Sequence, residues 1–65
     1  MLRYFLVTYN TPFGFGNICL TGQRFPSQEF VKNYVSKHTG AEIVIVVHVF
    51  EFKNEQDFED FQRVV

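Results

Sequence analysis

Few side chains in this chain of 65 residues could do acid–base, nucleophilic or metal chemistry, and they are not grouped at a catalytic spacing. Cys19 has no second cysteine with which to form a disulfide or a Cys-x-x-Cys motif. A nucleophilic cysteine also needs a neighbouring base, and no feature of the sequence supplies one. We predict that Cys19 is a small buried apolar residue and that His48 is an interior or interface residue. A pH-sensitive contact is the alternative role for His48.

The acidic residues near the end of the chain have the number, but not the arrangement, of a metal site. Glu55, Asp57, Glu59 and Asp60 fall within one predicted helix. Side chains at these spacings point around the helix and do not converge on a cation. We therefore predict a solvated acidic face, no metal, no cofactor and no enzymatic activity.

The segment Gly14-Phe15-Gly16 invites two functional readings. It lacks the third glycine and the following helix of a dinucleotide-binding fingerprint. It also departs from the glycine–aromatic core of RNA-recognition strands, because Phe13 stands in the basic position and Asn17 in an aromatic one. With both signatures incomplete, we predict that the two glycines allow the backbone to enter a tight hairpin. Aromatic and polar residues around that hairpin could alternatively stack a flat ligand such as a nucleobase; the candidates are Tyr9, Thr11, Phe13, Phe15 and Asn17.

The secondary structure that must position these residues is a hairpin, a helix, a strand and a short helix. Strands are predicted at 2–9, 15–21 and 42–52 from their β-branched and aromatic residues, and Asn10-Thr11-Pro12 is a turn signal. Ser27 caps a helix over 28–38, Gly40 ends it, and Asn54 caps the last helix. Apolar residues at helical spacing define the buried stripe of the first helix: Phe30, Val31, Tyr34, Val35 and His38.

The order β-β-α-β-α in a single domain, 1–65, defines an α+β fold with a three-stranded antiparallel sheet. A right-handed crossover through the first helix places the third strand beside the first, so the sheet order is 2-1-3. The main helix then covers one face of the sheet. The third strand lies at an edge.

The third strand is apolar on both of its alternating faces, although one short chain has little material to cover two faces. Charge, proline or a bulge usually blunts such an edge, and the sequence predicts none of these in 43–49. Either the final helix shields the strand, or it pairs with the same strand of a second copy to form a six-stranded sheet. The candidate interface residues are Ile43, Ile45, Val47, His48, Val49 and Phe50.

Composition supports self-association. A chain this short often needs a disulfide, a metal or an oligomer to become stable, and 46% of the residues are hydrophobic, nine of them phenylalanine. The net charge of −1 argues against nucleic-acid binding. No segment is long and apolar enough to cross a membrane, and no secretion signal is visible. We predict a cytoplasmic homo-oligomer that binds a protein partner.

The segment Tyr4–Tyr9, the element Gly14–Ile18 and the helix entry Phe25-Pro26-Ser27 together resemble short uncharacterised proteins of phages and integrated mobile elements. The resemblance covers most of the chain and rests on residues that specify the fold. It implies a cytoplasmic location and action against a host factor. It carries no catalytic residue over to this sequence.

Overall fold

The structure, a computed structural model, describes residues 1–63. Three strands and two helices follow one another in the predicted order β-β-α-β-α. Their bounds are β1 Arg3–Thr11, β2 Gly14–Gly22, α1 Gln28–Thr39, β3 Ile45–Phe52 and α2 Glu55–Gln62.

A two-residue connection, Pro12-Phe13, joins β1 to β2 and sets the register of the hairpin. Thr11 lies opposite Gly14, and the Thr11 hydroxyl accepts a hydrogen bond from the Phe13 amide at 3.0 Å. Gly14 has a φ of 122°, which a residue with a side chain rarely adopts. The turn therefore lies later than the predicted Asn10-Thr11-Pro12, and both strands are longer than predicted.

The sheet has the order β2-β1-β3, and both neighbours of β1 run antiparallel to it, as predicted. The register of β3 shifts between its partners Thr8 and Tyr9, because Val47 is an extra residue between Val46 and His48. The prediction that β3 contains no bulge is therefore wrong. One inserted residue changes which later side chains face each side of the sheet.

Helix α1 begins and ends where the capping residues predict. The Ser27 hydroxyl accepts from the Phe30 amide at 3.0 Å, and Gly40 adopts the left-handed conformation with a φ of 79°. Val31 and Val35 are fully buried against Val7 of the central strand. Ala41 and Val44 complete this buried cluster, Phe5 is buried beside it on the same strand as Val7, and half-buried residues pack around the cluster: Tyr9, Ile18, Leu20, Val46 and Val49.

The predicted buried stripe of α1 is wider than the observed one. Phe30 is 51% exposed and His38 is exposed, while Tyr34 is half-buried. The ring of Tyr34 stacks on that of His38 with centroids 4.2 Å apart, and the His38 Nδ1 donates to the Tyr34 carbonyl. A narrow three-stranded sheet offers no surface beneath these outer positions.

Helix α2 packs on the face of the sheet opposite α1. The Asn54 side chain caps it by accepting from the Asp57 amide at 2.8 Å. Phe58 is buried, and its ring lies 5.1 Å from that of Tyr4 and 5.4 Å from that of Phe52. Neither helix found within residues 1–63 has the length and apolar character needed to cross a membrane.

Candidate interaction surface

Strand pairing places the side chains on the α2 side of the sheet in four rows, because directly opposite residues point to the same face. Helix α2 covers the row that contains Tyr4 and Phe52, and it reaches Cys19 through Gln62. The rest of this side carries no helix within the described chain. The rows, from the covered end to the open end, are Phe52–Tyr4–Thr21, Phe50–Leu6–Cys19, His48–Thr8–Asn17 and Ile45–Asn10–Phe15.

We call the uncovered part of this side the open face, and it carries an apolar surface along β3. Ile45 is 56% exposed, Val47 53% and Phe50 48%, and His48 lies between the last two and is exposed. On β2, Phe15 is 76% exposed on the same side of the sheet, with polar Asn10 of β1 between it and Ile45. The open face is defined by Phe15, Asn17, Thr8, Asn10, Ile45, Val47, His48 and Phe50.

Two of the predicted interface residues lie outside the open face. Ile43 precedes β3 and is 62% exposed. Val49 is half-buried and packs against the α1 core, since its partner across the sheet is Val7. The structure thus brings Ile45, Val47, His48 and Phe50 together and turns Val49 to the other side.

The outer edge of β3 has no neighbouring strand among the described residues. The strand has no proline, and the bulge at Val47 is an irregularity in its pairing with β1. Its single acidic side chain, Glu51, is held on the α1 side. The Arg3 guanidinium donates to both Glu51 carboxylate oxygens at 2.8 Å.

The Arg3–Glu51 pair shifts the protonation of both groups. The hydrogen bonds from Arg3 lower the pKa of Glu51, and the same contact raises the pKa of Arg3. Both side chains are more than a third exposed, so water screens their attraction. The pair therefore adds little to the stability of the fold. Its main effect is to hold the Glu51 carboxylate on the α1 side, away from the open face.

The structure separates the five residues predicted to form a ligand site at the hairpin. Tyr9 and Thr11 belong to the α1 side, whereas Phe15 and Asn17 belong to the open face. Phe13 lies in the turn and is 75% exposed. The Tyr9 ring lies across Gly16, so closely that a Cβ atom there would come within 2.6 Å of it. No single pocket can be lined by all five.

Cys19 lies half-buried on the α2 side. Burial raises the pKa of its thiol, and a hydrogen bond with Gln62 acts in the opposite direction. A raised pKa disfavours the reactive thiolate at neutral pH. The surroundings of Cys19 therefore do not favour a nucleophilic role, and the residue is less buried than predicted.

A cleft with a volume of about 530 Å³ lies on the α1 side, between the end of β2 and the start of α1. Phe25 and Phe30 flank it, each about half exposed, and the side chain of Phe5 forms part of its wall. No pattern in the sequence indicates this cleft, because it forms only when the loop before α1 folds back on the sheet. Residues 1–63 contain no group of three or more side chains that could hold a metal ion.

Comparison with protein-family models, with curated proteins and with solved structures found no match to this chain. The resemblance to proteins of phages and mobile elements therefore stays a prediction. The case for a function rests on the surface of the molecule itself.

Proposed function

We propose that this protein is a small cytoplasmic interaction protein without enzymatic activity, which associates with a second copy through the outer edge of β3. The main observation in support of this proposal is that one apolar segment has three side chains that are each more than half exposed in a single copy: Ile43, Ile45 and Val47. Exposed apolar patches of this kind mark association surfaces in natural proteins.

Physical chemistry favours a second strand as the occupant of this edge. The outer amides and carbonyls of an edge strand form a template for further pairing. A neighbouring β3 would satisfy them and would remove apolar side chains from water, at about 25 cal/mol for each Å² buried. Pairing across a two-fold axis joins two three-stranded sheets into one of six strands.

A dimer of this kind also supports a further binding role. A two-fold axis perpendicular to the sheet leaves the open faces of both copies on the same side. Phe15, on the outer strand β2, then remains exposed beside polar Asn17. We propose that this enlarged face binds a protein, since the chain lacks the basic clusters that polyanions require.

Sedimentation at micromolar concentration tests the proposal. The wild-type chain should sediment as a dimer, and Val47→Lys should sediment as a monomer because a charge enters the apolar contact. Phe30→Lys is the matched control, since Phe30 has 51% exposure but lies on α1, and it should remain dimeric. Circular dichroism checks that all three chains are folded. A monomeric wild-type chain, or a Val47→Lys dimer as tight as the control, contradicts the proposal.

A further inference from the structure

We infer that two β3 strands pair with the two-fold axis between Val47 and His48, so that Ile45 of each copy lies opposite Phe50 of the other. This inference rests on the proposed self-association and specifies its register. It follows from the position of the bulge and from the distribution of charge around the strand.

The bulge gives β3 a symmetrical pattern of faces. Val46 and Val49 pack against the α1 core, whereas Ile45, His48 and Phe50 lie opposite residues of the α2 side. In a bulge two consecutive residues oppose one residue of the partner strand, so Val47 shares the side of His48 opposite Thr8, in agreement with its 53% exposure. The sequence of faces is therefore the same in both directions from the midpoint between Val47 and His48: α2 side, α1 side, α2 side.

Opposite residues of an antiparallel pair must point to the same face. About that midpoint, Val47 meets His48, Val46 meets Val49, and Ile45 meets Phe50, and the faces agree in each case. An axis through His48 instead sets Val47 opposite Val49 of the other copy, and their faces disagree. In an unbulged strand, an axis between two residues would fail at every pair, so the bulge is what permits this register.

The charges beyond the strand ends agree with the same axis. Glu42 precedes the apolar segment and Lys53 follows it, and both are exposed. In the inferred register each Glu42 lies opposite Lys53 of the other copy, so two opposite-charge pairs flank the apolar contact. Like charges in these positions would instead disfavour the pairing.

Pairwise cysteine cross-linking tests the register directly. Ile45→Cys and Phe50→Cys, each in a Cys19→Ser background, are purified separately and oxidised alone or mixed. The mixture should form disulfide-linked dimers faster than either variant alone, because each variant alone holds its two new thiols at opposite ends of the contact. Circular dichroism confirms folding, and both positions are exposed, so neither substitution disrupts the core.

Charge reversal gives a second readout. Glu42→Lys and Lys53→Glu should each weaken the dimer severalfold in sedimentation, and the double variant should recover most of the loss. Glu29→Lys, on α1, is the control and should leave the dimer unchanged. The register is wrong if either cysteine variant alone forms disulfide-linked dimers as fast as the mixture does. It is also wrong if the double charge variant dimerises as weakly as the two single losses combined would predict. Neither result contradicts the dimer itself. A wild-type chain that never dimerises removes the proposed function and the register together.

Discussion

The two sides of one sheet differ in how far each is covered. On the α1 side, Val7, Val31 and Val35 have at most 1% exposure beneath a helix capped at both ends. On the α2 side, a shorter helix is anchored by the single buried residue Phe58 and covers one end of the sheet. The same central strand thus supplies Val7 to a closed core and Thr8 to an open surface.

This difference separates two requirements that a small domain must meet. The α1 side and the Phe58 anchor of α2 provide the packing that holds the chain in one fold, whereas the open face carries apolar residues that the fold does not use. Substitutions on the two sides should therefore differ in kind: those on the α1 side change stability, and those on the open face change association.

The largest effect is expected at the anchor of α2. Phe58→Ala should lower the free energy of unfolding by about 3 kcal/mol, because it removes a buried ring that contacts Tyr4 and Phe52. Phe61→Ala is the control on the same helix, and its 53% exposure predicts a loss below about 1 kcal/mol. Urea denaturation measures both. The Cys19 thiol should also react faster in Phe58→Ala, and equal reactivity in both variants would show that α2 does not protect it.

The two sides can be compared with one residue type. Val35→Ala should cost about 2 kcal/mol, since it leaves a cavity in the α1 core. Val47→Ala should cost less than about 0.5 kcal/mol, because that side chain is already in contact with water. Urea denaturation of both, at concentrations too low for association, gives the contrast. Equal losses would mean that the open face is covered within the single copy.

A smaller effect is expected where Tyr9 crosses Gly16. Gly16→Ala should cost about 1 kcal/mol, because its Cβ meets the ring and the ring must shift. The cost should vanish in a Tyr9→Leu background, in which there is no ring at that position. Thermal denaturation of the four chains in this double-mutant cycle gives the coupling, and additive losses would contradict the close approach.

The smallest effect concerns Arg3 and Glu51. Since Arg3 lowers the pKa of Glu51, the unfolded chain binds a proton there more readily than the folded one. The stabilisation is complete above the ordinary pKa of a glutamate and is lost as the pH falls through the lowered value. Glu51→Gln should therefore be slightly less stable than the wild type near neutral pH and equally stable in acid. A difference that persists unchanged in acid would assign it to a cause other than the charge.

Features set by neighbouring residues could be predicted from the sequence. Ser27, Gly40 and Asn54 mark helix ends by hydrogen bonds within a few residues, and the structure confirms all three. The sheet order followed from the handedness of the crossover. The exposure of the apolar third strand followed from counting apolar residues against the surface that two helices can cover.

Features set by register could not be predicted. The turn falls at Pro12-Phe13 and not at the predicted Asn10-Thr11-Pro12. Tyr9 and Phe15 therefore lie on opposite sides of the sheet, which separates the predicted ligand residues. The extra residue Val47 carries no composition signal, because valine suits a regular strand equally well. The side on which α2 docks depends on Phe58 meeting Tyr4 and Phe52, which are distant in sequence.

The central position of β1 has a consequence for how the chain folds. Strand β1 is synthesised first and must pair with two strands, β2 and β3, which form their pairs with it at different times. The hairpin with β2 closes over a two-residue turn, whereas Phe52 must find Tyr4 from the far end of the chain. Because closing long loops slows folding, we expect the addition of β3 to be the rate-limiting event. Until then the inner strand is itself an edge, and a nascent chain is exposed to strand exchange with its neighbours for that interval.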